Sequence, residues 1–217
     1  MSDFPKTDLN AVRRLANRGY YDKATIYPIV DEALICHVGF VQDLQPFVIP
    51  MIHARLDDTV FLHGAVANRM LTHIAEGNPL CISITLLDGI VFARSVFHHS
   101  MNYRSVALFG KGSVIGKDDE KLRALEVISD HVARGRWQEA RLPNQREMDT
   151  TTVISVQIES ASAKIRTGPP NDNPEDYALP VWAGVLPFHL EPLPPVKDPK
   201  LPDGTTIPDY ITSYRRP

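Results

Sequence analysis

ALICHVGFVQDLQPFVIPMIHARLDDTVFLH (Ala33–His63) is the stretch whose reading decides the fold class. It holds three apolar runs, Ala33–Val41, Phe47–Ala54 and Thr59–His63. They are separated only by the polar turns Gln42–Gln45 and Arg55–Asp58. Parallel neighbours need a crossover of roughly a dozen residues or more, whereas antiparallel neighbours need only a tight turn. These runs therefore read as consecutive antiparallel strands. Downstream, Leu80–Leu87 and Ile90–Phe97 flank Asp88-Gly89, the dipeptide most typical of a hairpin turn. Arg104–Ile115 reads as a further strand, with a bulge or sharp coil expected at Gly110 and Gly112, and Thr152–Thr167 as a last long strand or strand pair.

Three helices are expected around these strands. Asp8–Arg18 is capped by Thr7 and stopped by Gly19, and Ala67–Glu76 is ended by Gly77 and Pro79. Asp118–Val132 places three acids in its first turn and repeats Leu122, Leu125, Ile128 and Val132 at helical spacing. The expected fold is mainly β with flanking helices: an antiparallel barrel rather than a doubly wound sheet. Residues 168–217 hold 12 of the 18 prolines. That composition excludes regular helix and central strand. The chain thus divides into a barrel domain, 1–167, and a proline-rich arm, 168–217, lying across the barrel or a partner subunit.

The 217 residues, 43% hydrophobic and 23% charged, suffice for a core without staples. With 23 Lys+Arg against 26 Asp+Glu there is no global basic field, so nucleic-acid binding has no support. Any anion must be held by local arginines. Cys36 and Cys81 sit in apolar runs and read as reduced, buried thiols, which favours a cytoplasmic setting. No signal-peptide core opens the sequence, and no apolar run is long enough to span a bilayer.

The chemical motifs are few. Gly110, Gly112 and Gly116 are spaced GxGxxxG, not GxGxxG, and strand curvature accounts for them better than a dinucleotide loop. His98-His99 on a strand would point to opposite faces and could not share one ion. HExxH, CxxC and GxSxG are absent. The most informative pair of segments is Phe61–Met70 (FLHGAVANRM) and Ser100–Val106 (SMNYRSV). The first is a strand running into a helix. Its Gly64 and Ala65 allow close backbone approach, and Asn68 and Arg69 are placed in the first helical turn, where an anion is favoured. Arg69 adds a two-pronged phosphate grip. The second puts Arg104 and Ser105 at a strand start as another donor cluster. Both arginines are equally readable as surface charges.

The ordered set PFVIPM (46–51), LHGAVANRM (62–70), LDGIVFARSVFHHSMNYRSV (87–106), GRW (135–137), KIRTGPP (164–170) and VWAGVLP (181–187) covers nearly the whole chain. It resembles the pyridoxamine 5′-phosphate oxidase-like, FMN-binding split-barrel superfamily, in the branch related to nitroimidazole-resistance proteins. The resemblance implies an antiparallel split β-barrel, a homodimer and FMN in a cleft between protomers. It implies that Val48, Ile49, Pro50 and Met51 lie along the flavin ring. His63 and Gly64, with Asn68, Arg69 and Met70, would hold the ribityl phosphate. Asn102, Tyr103, Arg104 and Ser105 would reach the flavin from across the barrel, and Trp182 would pack near the ring. Oxidase relatives carry Arg-Lys where this chain has Arg69-Met70, so one phosphate charge is missing, and Arg104 or a partner residue is expected to replace it.

His63 reads either as a histidine that closes a strand or as a catalytic contact whose titration near neutrality suits proton delivery. The function implied is a flavin-dependent oxidoreductase of a small molecule, with a nicotinamide as possible electron donor. The alternatives are a non-catalytic flavin carrier or storage protein and a haem-binding protein on the same fold.

Overall fold

Ten residues between Lys23 and Glu32 form a helix that the strand-rich sequence pattern does not announce. The computed structural model describes residues 3–215. Met1, Ser2, Arg216 and Pro217, at the ends of the two expected regions, lie outside the described residues.

In chain order the elements are β1 (Gly19–Tyr20), α1 (Lys23–Glu32), β2 (Ile35–Gln42), β3 (Gln45–Ile52), β4 (Ala54–Leu56), β5 (Thr59–Ala65) and α2 (Arg69–Ala75). They continue with β6 (Pro79–Phe92), β7 (Ser100–Val114), α3 (Asp118–Val132), α4 (Arg136–Glu139), α5 (Gln145–Asp149), β8 (Thr151–Arg166), β9 (Gly184–Pro187) and α6 (Asp209–Thr212). The strands hydrogen-bond in the order β3-β2-β6-β7-β8-β5-β4, with β1 on β8 and β9 on β6. The pairs β1–β8, β2–β6, β4–β5, β5–β8 and β6–β9 are all antiparallel. Among the described residues the sheet is open, and β3 and β4 end its path. The expected mainly antiparallel fold with flanking helices is therefore present.

The chain forms two compact units. The first comprises the described residues up to Pro50 with Leu80–Gly110 and Ile158–His189. The second comprises Met51–Pro79, Lys111–Gln157 and the described residues from Leu190 onward. Both units thus draw on the expected barrel region and on the arm.

In the first unit, Ile26, Val30, Cys36, Val38, Ile82 and Ile84 are fully buried. Alternation along β2 puts Cys36, Val38 and Phe40 inside, while Ile35 and Val41 face out. The β2–β3 turn is tight because Asp43 and Leu44 both take left-handed backbone, as a two-residue hairpin of this kind requires. Cys36 is a free thiol whose burial pushes its pKa up to about 12. Cys81 is also free but half-buried, on the other face, opposite Gly39.

Two expectations fail here. The helix expected over Asp8–Arg18 is a series of turns ending in a short 3-10 turn, Ala16–Arg18. Buried Asn10 dictates this. Its side-chain oxygen accepts from the Thr7 amide at 2.8 Å, and its amide group donates to the carbonyls of Pro5 and Ala161, each at 3.0 Å. Helix forms instead at α1, where Asp22 caps the Thr25 amide at 2.7 Å and Ile26, Ile29 and Val30 are buried despite the internal Pro28. Asp88-Gly89 is not a hairpin turn, because β6 runs straight through it. Gly89 is there for close approach: a Cβ would sit 2.7 Å from the Leu186 carbonyl oxygen of β9.

In the second unit, Val60, Leu62, Met70, Leu71, Ile74, Val153 and Ile154 are buried around the β5–β8 ladder, and α3 packs on β4 and β5. Asp118–Val132 is helical over its expected range. Gly112 needs its missing side chain: an added Cβ would lie 2.2 Å from Ile74 Cγ2 and 2.7 Å from Ile154 Cγ2. Close packing against α2 and β8 accounts for that glycine.

The arm is largely irregular, yet Val185 and Leu186 of β9 pair with Val91 and Ile90 of β6. No helix among the described residues is long and apolar enough to cross a membrane.

Candidate functional site

His63 is the penultimate pair but one of the β5–β8 ladder, opposite Val153, followed by Gly64 opposite Thr152. Its ring borders a cleft of about 370 Å³ in the second unit. Leu125 and Ser129 of α3, Trp137 of α4, Pro143, and Thr151 at the start of β8 form part of the wall. The helices α3 and α4 are joined through Ala133–Gly135, where Gly135 takes left-handed backbone, and this turn brings Trp137 back over the cleft. Arg141 and Glu147 also line it. Arg141 donates to both Glu147 oxygens, at 3.0 and 2.8 Å, and Glu147 completes a capping box with Asn144. The Arg141 hydrogen bonds, aided by the Asn144 amide, hold the Glu147 carboxyl down at about 2.

The His63 Nδ1 atom is shut away from solvent and meets no hydrogen-bond partner. An unmet N–H in that place costs more than an unmet lone pair, which favours the tautomer with its proton on Nε2. Burial holds the His63 pKa below its usual 6.5, so the ring is neutral at pH 7. His63 borders the cleft, and in this tautomer its ring has one N–H to donate.

The neighbouring turn is less open to an anion than the sequence suggests. Asn68 is the N-cap of α2, not a first-turn residue, and its side-chain oxygen accepts from the Leu71 amide at 3.2 Å. Arg69 is the first helical residue and exposed. Met70 is fully buried, so its side chain belongs to the core. A Cβ on Gly64 would meet Leu71 Cδ1 at 3.0 Å, so the missing side chain serves the approach of α2. Met51 is half-buried in β3.

The remaining expected site residues lie in the first unit. Val48 and Pro50 are exposed and Ile49 is half-buried on β3, the strand that ends the sheet order and so tolerates two prolines. The side chains of Asn102, Arg104 and Ser105 are all occupied. Asn102 donates to the Gly168 carbonyl at 3.1 Å, and Ser105 to the Lys164 carbonyl at 3.3 Å. Arg104 grips Asp88 through Nε and Nη2, at 3.0 and 2.8 Å, and Glu32 through Nη1 and Nη2. The expectation that Arg104 replaces a missing phosphate charge therefore fails: two carboxylates already share its guanidinium. Tyr103 is half-buried beside them. Trp182 is exposed, 6.0 Å from Phe92 between ring centroids, and Phe92 in turn meets His99 edge-on at 5.9 Å.

Leu125, Ser129, Trp137, Arg141 and Glu147 are cleft residues that motif reasoning did not assign. GRW (135–137) is the one signal that could have drawn attention to Trp137. No group of three or more His, Cys, Asp or Glu side chains among the described residues could hold a metal ion.

Residues 22–165 match the family model described as pyridoxamine 5′-phosphate oxidase. No curated protein matches the chain. Among solved structures, the chain is 36% identical to the flavocytochrome Anf3 from Azotobacter vinelandii, with a TM-score of 0.91 over 96% of this chain and 97% of that one. It is 32% identical to the FAD and heme binding protein from Mycobacterium smegmatis, with a TM-score of 0.86 over 90% and 96% of the two chains. A putative 5-nitroimidazole antibiotic resistance protein from Bacteroides thetaiotaomicron shares the fold, at 24% identity and a TM-score of 0.58 over 68% and 86%.

Proposed function

Because the chain belongs to the pyridoxamine 5′-phosphate oxidase family, we propose that it binds a flavin nucleotide and works as a flavin-dependent oxidoreductase on a small molecule. The observation that carries this reading is the 36% identity to a flavocytochrome over 96% of the chain. The residues of the second unit fit a flavin. Trp137, Leu125 and Pro143 offer an apolar wall to a flat ring, and neutral His63 offers a proton donor to a polar ring edge. Arg69, exposed at the head of α2, is the residue for the phosphate end. The flavin would supply the electron transfer, while these residues orient it and keep water out. FAD is the nucleotide we assign in place of FMN, since a relative at 32% identity is named for FAD.

A second reading adds a haem to the flavin. The relatives at 36% and 32% identity carry names that pair the two kinds of cofactor. A homodimer completes the proposal. Ile35, Val41, Val48, Leu87 and Met101 of the first unit are all large, apolar and exposed, a set that a second copy would cover.

An absorbance spectrum of the purified protein tests these readings, with chromatography of the released cofactor. Flavin bands and released FAD are expected, and a Soret band accompanies them if haem is the second cofactor. Bleaching by a nicotinamide donor, with reoxidation by an added acceptor, separates an enzyme from a carrier. A colourless protein that takes up neither FAD nor FMN overturns the proposal. Light scattering that returns a stable 24.3 kDa particle would remove the dimer.

A further inference from the structure

Arg166 closes β8 in the first unit with only 7% of its surface exposed. Its Nη1 donates to Asn102 Oδ1 and, at 3.2 Å, to the Gly168 carbonyl; its Nη2 donates to the Pro169 carbonyl at 3.0 Å. Gly168, in left-handed backbone, turns the chain so that two successive carbonyls face the guanidinium. Every one of these acceptors is neutral. A guanidinium has five N–H donors. Three are accounted for, and the Nε–H and one Nη2–H are left.

The backbone of a second arginine runs beside it. β1 pairs Gly19 with Lys164 and Tyr20 with Ala163, so the residue before β1, Arg18, comes alongside the end of β8. The two charges repel: burial first, and then the Arg18 charge, lower the Arg166 pKa. Among the described residues neither arginine forms an ion pair. The other two part-buried arginines of this unit are treated differently. Arg94 has Asp172, and Arg104 has both Glu32 and Asp88. A buried charge left without a counter-charge is costly, and a second like charge adds to that cost.

We propose that Arg166 and Arg18 form a binding site for a phosphate group carried by a small molecule. Two uncompensated positive charges match a dianion, and the free Nε–H and Nη2–H of Arg166 suit two of its oxygens. The neutral cradle of Asn102, Gly168 and Pro169 fixes the guanidinium plane before the ligand arrives. This site involves none of the cleft residues around His63 and does not depend on the flavin reading.

The test follows the Arg166 Nε–H resonance of the full chain by NMR. Sodium phosphate, glycerol 3-phosphate and acetate are added in separate titrations at constant ionic strength. Both phosphates should shift the resonance saturably, and acetate should bind at least about 10-fold more weakly, because it brings one charge instead of two. Arg18→Gln should weaken phosphate by about 10-fold or more, the usual effect of losing one charged hydrogen bond. The same substitution should leave the melting temperature without phosphate unchanged or higher, since it removes a repulsion. Arg166→Lys removes the reporting resonance, so its phosphate binding is measured by calorimetry; it should be weaker than the parent's by the same method, as an ammonium keeps charge and loses the fork. No saturation by either phosphate overturns the proposal, and so does an Arg18→Gln variant that binds phosphate as tightly as the parent. Acetate binding as tightly as phosphate overturns the assignment of a phosphate.

Discussion

Gly112→Ala should destabilise the protein by about 2 kcal/mol, the sum of a large overpacking cost and a smaller entropic gain. The added methyl would lie 2.2 Å from Ile74 Cγ2 and 2.7 Å from Ile154 Cγ2. Carbon atoms in comfortable contact are about 3.5–4.0 Å apart, so one neighbour must retreat by more than about 1 Å. Neither can do so freely, because both isoleucines are fully buried. Overpacking typically costs about 1–3 kcal/mol, and two fully buried neighbours inside contact distance put this site at about 3 kcal/mol, the upper end. Gly112 does not sit in left-handed backbone, so alanine meets no conformational strain there. The reduced freedom of the unfolded chain returns about 0.4–1 kcal/mol. For a chain of this size each kcal/mol moves the melting temperature by roughly 2–4 °C, so a fall of about 4–8 °C is expected. Gly116→Ala is the internal control, since its Cβ would meet nothing within 4 Å. Urea or thermal unfolding of both variants makes the comparison. Ile74→Ala removes the nearer clash, so the double variant should be less destabilised than the two single losses added together. A Gly112→Ala protein as stable as the Gly116→Ala protein would refute the packing argument. Ile74 lies in α2, the helix headed by Arg69, so the same variant should also weaken flavin uptake.

Two further outcomes are expected. Burial lowers the His63 pKa below 6.5, so the unfolded chain takes up a proton that the native ring resists, and the stability this contributes is present above pH 6.5 and lost as pH falls through the lowered native value. Melting temperature measured from pH 7.5 to 5 should therefore fall more steeply for the parent than for His63→Gln; equal slopes would show that the ring titrates as it does in water. Arg104→Met should cost about 1–3 kcal/mol by leaving Glu32 and Asp88 without their shared cation, while flavin content stays unchanged. Loss of flavin at full stability would return Arg104 to the phosphate site.

The architecture was legible where strand pairing is local: short turns join β2 to β3 and β4 to β5 as neighbours, and the amphipathic repeat of Asp118–Val132 is helical over its full length. The distant pairings were not legible, since β3 and β4 follow each other in the chain yet end the sheet order on opposite sides. Local pattern failed wherever a distant residue redirected the chain. Asn10 hydrogen-bonds the Ala161 carbonyl and unwinds an expected helix, and β9 lies against Gly89 so that a turn dipeptide continues a strand. The candidate site follows the same division. His63 and Arg69 could be singled out from a strand running into a helix. Their surroundings could not, because Trp137, Leu125 and Ser129 reach His63 only after two helices fold back over β5. The fate of each arginine was beyond the sequence altogether. Arg104 meets Glu32 72 residues away, whereas Arg166 meets only neutral acceptors. A charge costs nothing to write into a sequence; its energy is set by the dielectric and the partners around it, and those exist only once the chain has folded.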